Sequence, residues 1–140
     1  MVYNGATVYG QTETYDGSSY SETGDLSTAR SSGGSAGTQT AALYFGGNPA
    51  PGGGDDTEEF GGSSWTAGGN LAAPQYYNAG TGSQTAALSV GGRRNNSPPM
   101  TNNTEEYDGT SWSDTPASLT PARYAVKGAG TQTAGLAIGL

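Results

Sequence analysis

The sequence predicts an all-β fold assembled from three similar units, on two signatures that recur in step and on a turn-rich composition. The first signature is Thr12-Glu-Thr-Tyr-Asp-Gly-Ser-Ser-Tyr20. It returns as Thr57-Glu-Glu-Phe-Gly-Gly-Ser-Ser-Trp65 and Thr104-Glu-Glu-Tyr-Asp-Gly-Thr-Ser-Trp112, with starts separated by 57 − 12 = 45 and 104 − 57 = 47 residues. The second is Gln39-Thr-Ala-Ala-Leu43, Gln84-Thr-Ala-Ala-Leu88 and Gln132-Thr-Ala-Gly-Leu136, separated by 45 and 48. Markers that keep one beat along the whole chain mean a tandem repeat, in which no single unit buries a core alone. With 25 Gly, 9 Tyr and 2 Trp but only 12% charged residues, the chain has the composition of short strands joined by turns rather than of a solvated coil. No stretch of ten or more residues carries a 3.6-residue apolar period, so no helix is expected.

Residues 1–11 read as a loop with strand character at 6–9. The first unit opens with a strand at 12–15, turns at Asp16-Gly17 and returns from Ser18; Asp-Gly between β-prone runs is a hairpin signal, because Gly supplies φ > 0 without steric cost. A loop containing Asp25-Leu-Ser-Thr-Ala-Arg30 leads to small residues at 31–37, a tight turn at Thr38-Gln39, and an apolar strand at 40–45 closed by Gly46-Gly47. The second unit follows the loop 48–56, whose two Pro and Gly run exclude regular structure. Its strands fall at 57–60, 64–67, 76–79 and 85–90, with Gly91-Gly92 closing. A second long loop spans 93–103, and the third unit has strands at 104–107, 111–113, 124–127 and 133–138. The whole reads as one domain, 1–140, with units at 12–56, 57–103 and 104–140.

Four short strands in a unit of this length are one blade of a β-propeller. The markers also resemble the kelch repeat: Phe45-Gly46-Gly47, Phe60, Trp65, Leu71 and Gln75 in one unit, then Val90-Gly91-Gly92, Tyr107-Asp108, Trp112, Leu119 and Arg123 in the next. Tyr20 stands where the kelch pattern has Trp, Gln75 where it has Arg, and Leu140 where it has the second Gly. The Gln-Thr-Ala variant is similar to repeats of marine phage proteins. The resemblance implies a strand order within each blade. The strand after the Arg position is innermost, that before Gly-Gly second, the Thr-Glu-x-Tyr strand third and the Trp strand outermost. Tyr15, Phe60, Tyr107, Trp65 and Trp112 are then core between blades.

In that phase the chain encodes strands three and four, two complete blades, and strands one and two. Three blades do not close around an axis, and an open half would expose a strand edge and aromatic faces. The expectation is half of a six-bladed kelch-like propeller closed by homodimerisation, with the strand at 136–138 pairing with that at 12–15 of the partner.

The net charge of −7 disfavours nucleic acid and anionic membrane as partners. With no His and no Cys, the nucleophile pairs of hydrolases and ordinary zinc sites are absent, so no enzyme is expected. No apolar run is long enough to span a bilayer and the N-terminus lacks signal-peptide features, which leaves a particle-associated or cytoplasmic location as the expectation. The recurring Glu13, Glu58 and Glu105 read as buried structural carboxylates, with Arg30 and Arg123 as their expected partners, rather than as an acid/base set.

Ligand work is expected on the long loops, which the alternation of strand connections gathers on one face. Arg93, Arg94, Asn95, Asn96, Asn102 and Asn103 suit a polar or anionic ligand such as a glycan. Asp55 and Asp56 with carbonyl oxygens form a candidate Ca²⁺ site, the sole cofactor suggested. Asn95-Asn-Ser97 and Asn102-Asn-Thr104 are glycosylation sequons. Two functions fit: a recognition module, viral receptor- or glycan-binding, or a purely structural self-assembling propeller.

Overall fold

A computed structural model describes the backbone of Val2–Tyr3 and Ala6–Thr7, and residues 9–48, 54–95 and 99–139. Among these residues the fold is all-β without helix, arranged as several antiparallel sheets, none of them closed. Strands β1 (Val2–Tyr3) and β2 (Ala6–Thr7) form a short hairpin. Strands β3 (Glu13–Tyr15) and β4 (Tyr20–Glu22) form a second two-stranded sheet, turning at Asp16-Gly17, where the Asp16 carboxylate accepts the N–H groups of Ser18 and Ser19 at 2.9 Å each. Those bonds pull the Asp16 carboxyl down to about 2.

Two four-stranded sheets follow, each a simple antiparallel meander. The first runs β5 (Gly34–Thr38), β6 (Ala41–Phe45), β7 (Thr57–Phe60), β8 (Trp65–Ala67). The second runs β9 (Ala79–Ser83), β10 (Ala86–Arg93), β11 (Met100–Tyr107), β12 (Trp112–Ser118). A last pair, β13 (Lys127–Gly130) and β14 (Gly135–Ile138), forms a two-stranded sheet. The 45-residue beat reappears as register: Thr38↔Ala41 and Ser83↔Ala86 close corresponding hairpins, and the turn falls one residue later than the sequence suggests, on Gln39-Thr40.

Three other boundaries differ from expectation. The segment 93–103 is not one long loop, because β10 runs on to Arg93 and pairs Gly92↔Thr101 and Arg93↔Met100 across a register shift at Gly91, which shortens the connection to 94–99. The outermost strand of this sheet extends to Ser118 rather than stopping at 113. The strands expected at 76–79 and 124–127 begin only at Ala79 and Lys127, since the residues before them make sharp turns: Tyr77 and Ala125 have φ of 56° and 57°. Ser32 at the matching place in the first unit has φ 65°. Each of these turns donates to the one before, Tyr77 N–H to Ser32 O at 2.6 Å and Ala125 N–H to Tyr77 O at 2.8 Å.

Inner strands of successive sheets meet at backbone distance, which is why they are made of Gly, Ala, Ser and Thr. A Cβ at Gly80 would collide with the Ser35 carbonyl, and one at Gly128 with the Gly80 carbonyl. The Gly-Gly pairs join units in a second way. Gly47 and Gly92 (φ 101° and 118°) turn their N–H groups onto the Gln75 and Arg123 carbonyls at 2.9 Å, a backbone shape that favours glycine.

The core lies between sheets rather than within any one. Leu43, Phe45, Leu71, Ala87 and Tyr107 fill the space between the two four-stranded sheets, with Trp112 against them. The rings of Phe45 and Trp112 are 4.7 Å apart, and those of Tyr107 and Trp112 4.9 Å. Ala79, Leu88, Val90 and Val126 form a second cluster beneath β13–β14.

Candidate functional site

The recurring carboxylates sit in three different settings. Glu58 on β7 is buried, and its Oε2 accepts from Arg30 Nη2 at 2.9 Å while its Oε1 accepts from Ser27 N–H and Oγ at 2.8 and 2.7 Å. Arg30, equally buried, also donates to the carbonyls of Gly46 and Asp56. This is a buried ion pair with most of its hydrogen-bonding capacity met. Glu105, at the matching place on β11, has Gln75 where the first unit has Arg30, and Gln75 turns instead to Ser89 Oγ at 2.9 Å. Glu105 keeps one bond, from Ala72 N–H at 2.9 Å, and its Oε1 is buried without a partner. Desolvation therefore pushes its pKa up, opposed by the Ala72 amide and by the field of Arg94.

Glu13 and Arg123 depart from the expected burial and pairing. Glu13 on β3 is exposed, and Arg123 is half-buried, donating to Gly139 O at 3.1 Å and to no carboxylate among the described residues. The physical reason is positional: Glu13 stands in the two-stranded sheet β3–β4 and Arg123 in the segment leading into the two-stranded sheet β13–β14, and neither sheet has the further strands that surround Glu58 and Arg30.

The aromatics divide in the same way. Phe60 and Tyr107 are buried and Trp65 and Trp112 half-buried, the indole N–H groups reaching Thr12 Oγ1 at 3.0 Å and Thr57 Oγ1 at 2.9 Å on the preceding sheet. Tyr107 Oη donates to Glu59 Oε1 at 2.5 Å, and burial together with that carboxylate raises its pKa to about 12. By contrast Tyr15 and Tyr20, a matching pair 5.0 Å apart, are 49% and 67% exposed. At the opposite end Leu88, Val90 and Thr104 line an open groove of about 460 Å³ with Leu119 and Leu136, and β14 leaves Leu136 and Ile138 exposed.

The loop residues lie in different settings. Arg93 is the last residue of β10 and exposed, its guanidinium 5.8 Å from the Tyr124 ring centroid. Arg94 is half-buried with its Nε enclosed, so it is not the exposed loop cation that the sequence suggests. Asn95 is exposed and its Oδ1 accepts from Tyr76 Oη at 2.9 Å. Asn96 lies outside the described residues. Asn102 and Asn103 belong to β11 rather than to a loop: Asn102 O accepts from Leu119 N–H and Asn103 pairs with Ser118. The Asp55 and Asp56 carboxylates converge on the Asn70 amide at 3.3 and 3.5 Å, and no group of three or more metal-ligating side chains occurs among the described residues.

Two features escaped the sequence reading. One is the repeated glutamine: Gln84 Nε2 donates to Ala42 O and Phe60 O on the preceding sheet at 3.0 and 2.7 Å, and Gln132 Nε2 to Ala87 O and Tyr107 O at 3.1 and 2.9 Å. Gln39 makes one bond of this kind, to Tyr15 O at 2.7 Å. The invariance of Gln in the Gln-Thr-Ala signature was the available signal. The other is a tyrosine cluster, in which Tyr76 and Tyr77 rings lie 5.4 Å apart and Tyr77 and Tyr124 rings 6.0 Å apart, beside Arg93 and Asn95. No family model matches the chain, and no curated protein matches it significantly.

Proposed function

We propose that the chain is half of a kelch-like six-bladed propeller, that two copies close head to tail into one ring, and that the ring is a non-enzymatic recognition module. The observation that carries this reading is the complementarity of the two incomplete end sheets. Strands β3–β4 correspond to the outer half, and β13–β14 to the inner half, of the four-stranded sheets between them. Joined through β14 and β3 of a second copy, they complete one more sheet of the same kind at each of two junctions.

Each internal junction has a counterpart with one member at either end of the chain. Tyr15 and Tyr20 take the place of Tyr107 and Trp112, and the groove lined by Leu88, Val90 and Thr104 takes that of the Leu43, Phe45 and Thr57 surface they pack on. Among the described residues Gln39 lacks the second acceptor that Ala42 and Ala87 give to its equivalents, and Gly135 of the partner subunit is the matching carbonyl. Glu13 and Arg123 are the unpaired halves of a Glu58–Arg30 arrangement. The turn of Ser32 and that of Ala125 are the two loose ends of the ladder through Tyr77.

A purely self-assembling particle component would present the same open ends. The tyrosine–arginine cluster, in which the Tyr77 ring is 42% exposed and Arg93 is exposed beside it, favours recognition. Light scattering at micromolar concentration is expected to give twice the chain mass of 14.0 kDa. A monomer of that mass, folded and soluble, would overturn the closure.

A further inference from the structure

We infer that Tyr76, Tyr77, Tyr124, Arg93 and Asn95 form a binding site for a carboxylate-bearing sugar, of the uronic acid class. The inference rests on the recognition reading above and gives that reading its ligand class.

The first argument is that Tyr77 is not there for the fold. Its backbone occupies the left-handed region, φ 56°, where Tyr is strained, and the same place is filled by Ser32 and Ala125 in the other units. A small residue therefore satisfies the turn, yet here the chain carries a large ring that remains 42% exposed. Tyr76 and Tyr124 flank it at 5.4 and 6.0 Å, their planes inclined at 60° and 52°, so the three rings make a faceted apolar surface rather than a stacked core. An exposed Tyr77 ring flanked by the half-buried rings of Tyr76 and Tyr124 suits the C–H face of a pyranose, which gains contact area at little cost in ordering.

The second argument is polar. Arg93 is placed twice over, by reciprocal backbone bonds with Tyr76 (Tyr76 N–H to Arg93 O, 2.9 Å; Arg93 N–H to Tyr76 O, 2.7 Å) and by its guanidinium over Tyr124. It makes no ion pair among the described residues, in a chain of net charge −7. An exposed, oriented guanidinium offers a planar fork to a carboxylate. Asn95 is held by Tyr76 Oη through Oδ1, which leaves its Nδ2 as a donor for a sugar hydroxyl. Apolar facets, one guanidinium and one amide donor within one cluster match a ring that bears C–H, carboxylate and hydroxyl groups together. The other arginines are otherwise placed: Arg30 pairs with Glu58, Arg94 is half-buried, and Arg123 donates to Gly139 O.

Trigalacturonate and its methyl ester, which has the same sugar ring with the carboxylate charge removed, test the site by calorimetric titration of the full chain. Trigalacturonate is expected to bind, the methyl ester about tenfold or more weaker, in line with loss of a charge-assisted contact. Arg93→Gln should bring the acid down to the level of the ester. Tyr77→Ala, which installs the residue that already serves at 125, should weaken both by about tenfold or more without changing solution mass or unfolding midpoint. No heat or chemical-shift change with trigalacturonate at millimolar concentration, or binding that Tyr77→Ala leaves intact, would overturn the site. So would binding of polyglutamate in preference to trigalacturonate, which would make the occupant an acidic peptide. Because light scattering reads closure independently, failure of the sugar to bind and failure of the ring to close are separate results.

Discussion

Glu58 and Glu105 occupy one place in two sheets and differ in what surrounds them, which makes them a natural comparison. Breaking the buried Arg30–Glu58 pair leaves a carboxylate without its cation, and Arg30→Ala should cost about 3 to 5 kcal/mol. Arg93→Ala, at an exposed cation, should cost about 0 to 1 kcal/mol in the same denaturant titration. Glu105 works in the opposite sense. Its pKa in the fold is raised above the ordinary 4.5 by desolvation, so its charged form burdens the folded state at neutral pH, and that burden lifts as pH falls towards the raised value. Glu105→Gln should therefore raise the unfolding midpoint at pH 7 and flatten its dependence between pH 7 and 5, while an unchanged slope would place the titration elsewhere. The burial of Glu58 and Glu105 was legible in the sequence because they recur at fixed spacing two residues before Phe60 and Tyr107 on the same strand face, and Arg30 was the cation expected to partner them. The partial burial of Arg94 was not, since an Arg-Arg-Asn-Asn run reads as solvated loop until a register shift at Gly91 carries the strand up to Arg93, next to it.

At the level of strands, the repeated glutamine is the clip that holds one sheet to the next. Gln84→Ala removes two bonds to main-chain carbonyls and should cost about 1 to 3 kcal/mol, from roughly 0.5 to 1.5 for each bond. Gln39 makes one such bond among the described residues, so at concentrations where the chain is monomeric Gln39→Ala should cost about half as much, and in the closed ring about the same. Thermal unfolding at low and high protein concentration separates the two cases. The strand at 57–60 was readable to the residue, since it begins a signature that recurs in every unit and a Gly-Gly turn ends it. The starts of β9 and β13 were not. Tyr76, Tyr77 and Tyr124 have strong strand propensity, whereas hydrogen bonds between turns of successive units accompany a left-handed backbone at Tyr77 and Ala125.

For the molecule as a whole, closure by a second copy couples stability to concentration, so the unfolding temperature should rise with protein concentration over the micromolar range. Glu13→Arg should weaken association by setting like charges against Arg123, and adding Arg123→Glu should restore it, which sedimentation of the single and double variants would read directly. Restoration failing in the double variant would mean that the two side chains do not meet. The all-β class and the order of strands were legible because a tandem repeat states its own period. The tyrosine cluster was not, because it joins residues from three separate segments, 76–77, 93–95 and 124, that only the packing of sheets brings together. The contrast between Gly80 pressed against Ser35 and the connection at 94–99 has a bearing on how such a protein changes over generations. Inner strands in backbone contact accept almost no substitution, whereas a hairpin connection that leaves its two strands paired on one side accepts insertions of many lengths, each added doubling costing only about 0.6 kcal/mol in chain entropy. Sequence drift, and any peptide grafted by design, is therefore channelled into the rim beside Arg93, so that lineages of this fold diversify what they touch while keeping the frame that holds it.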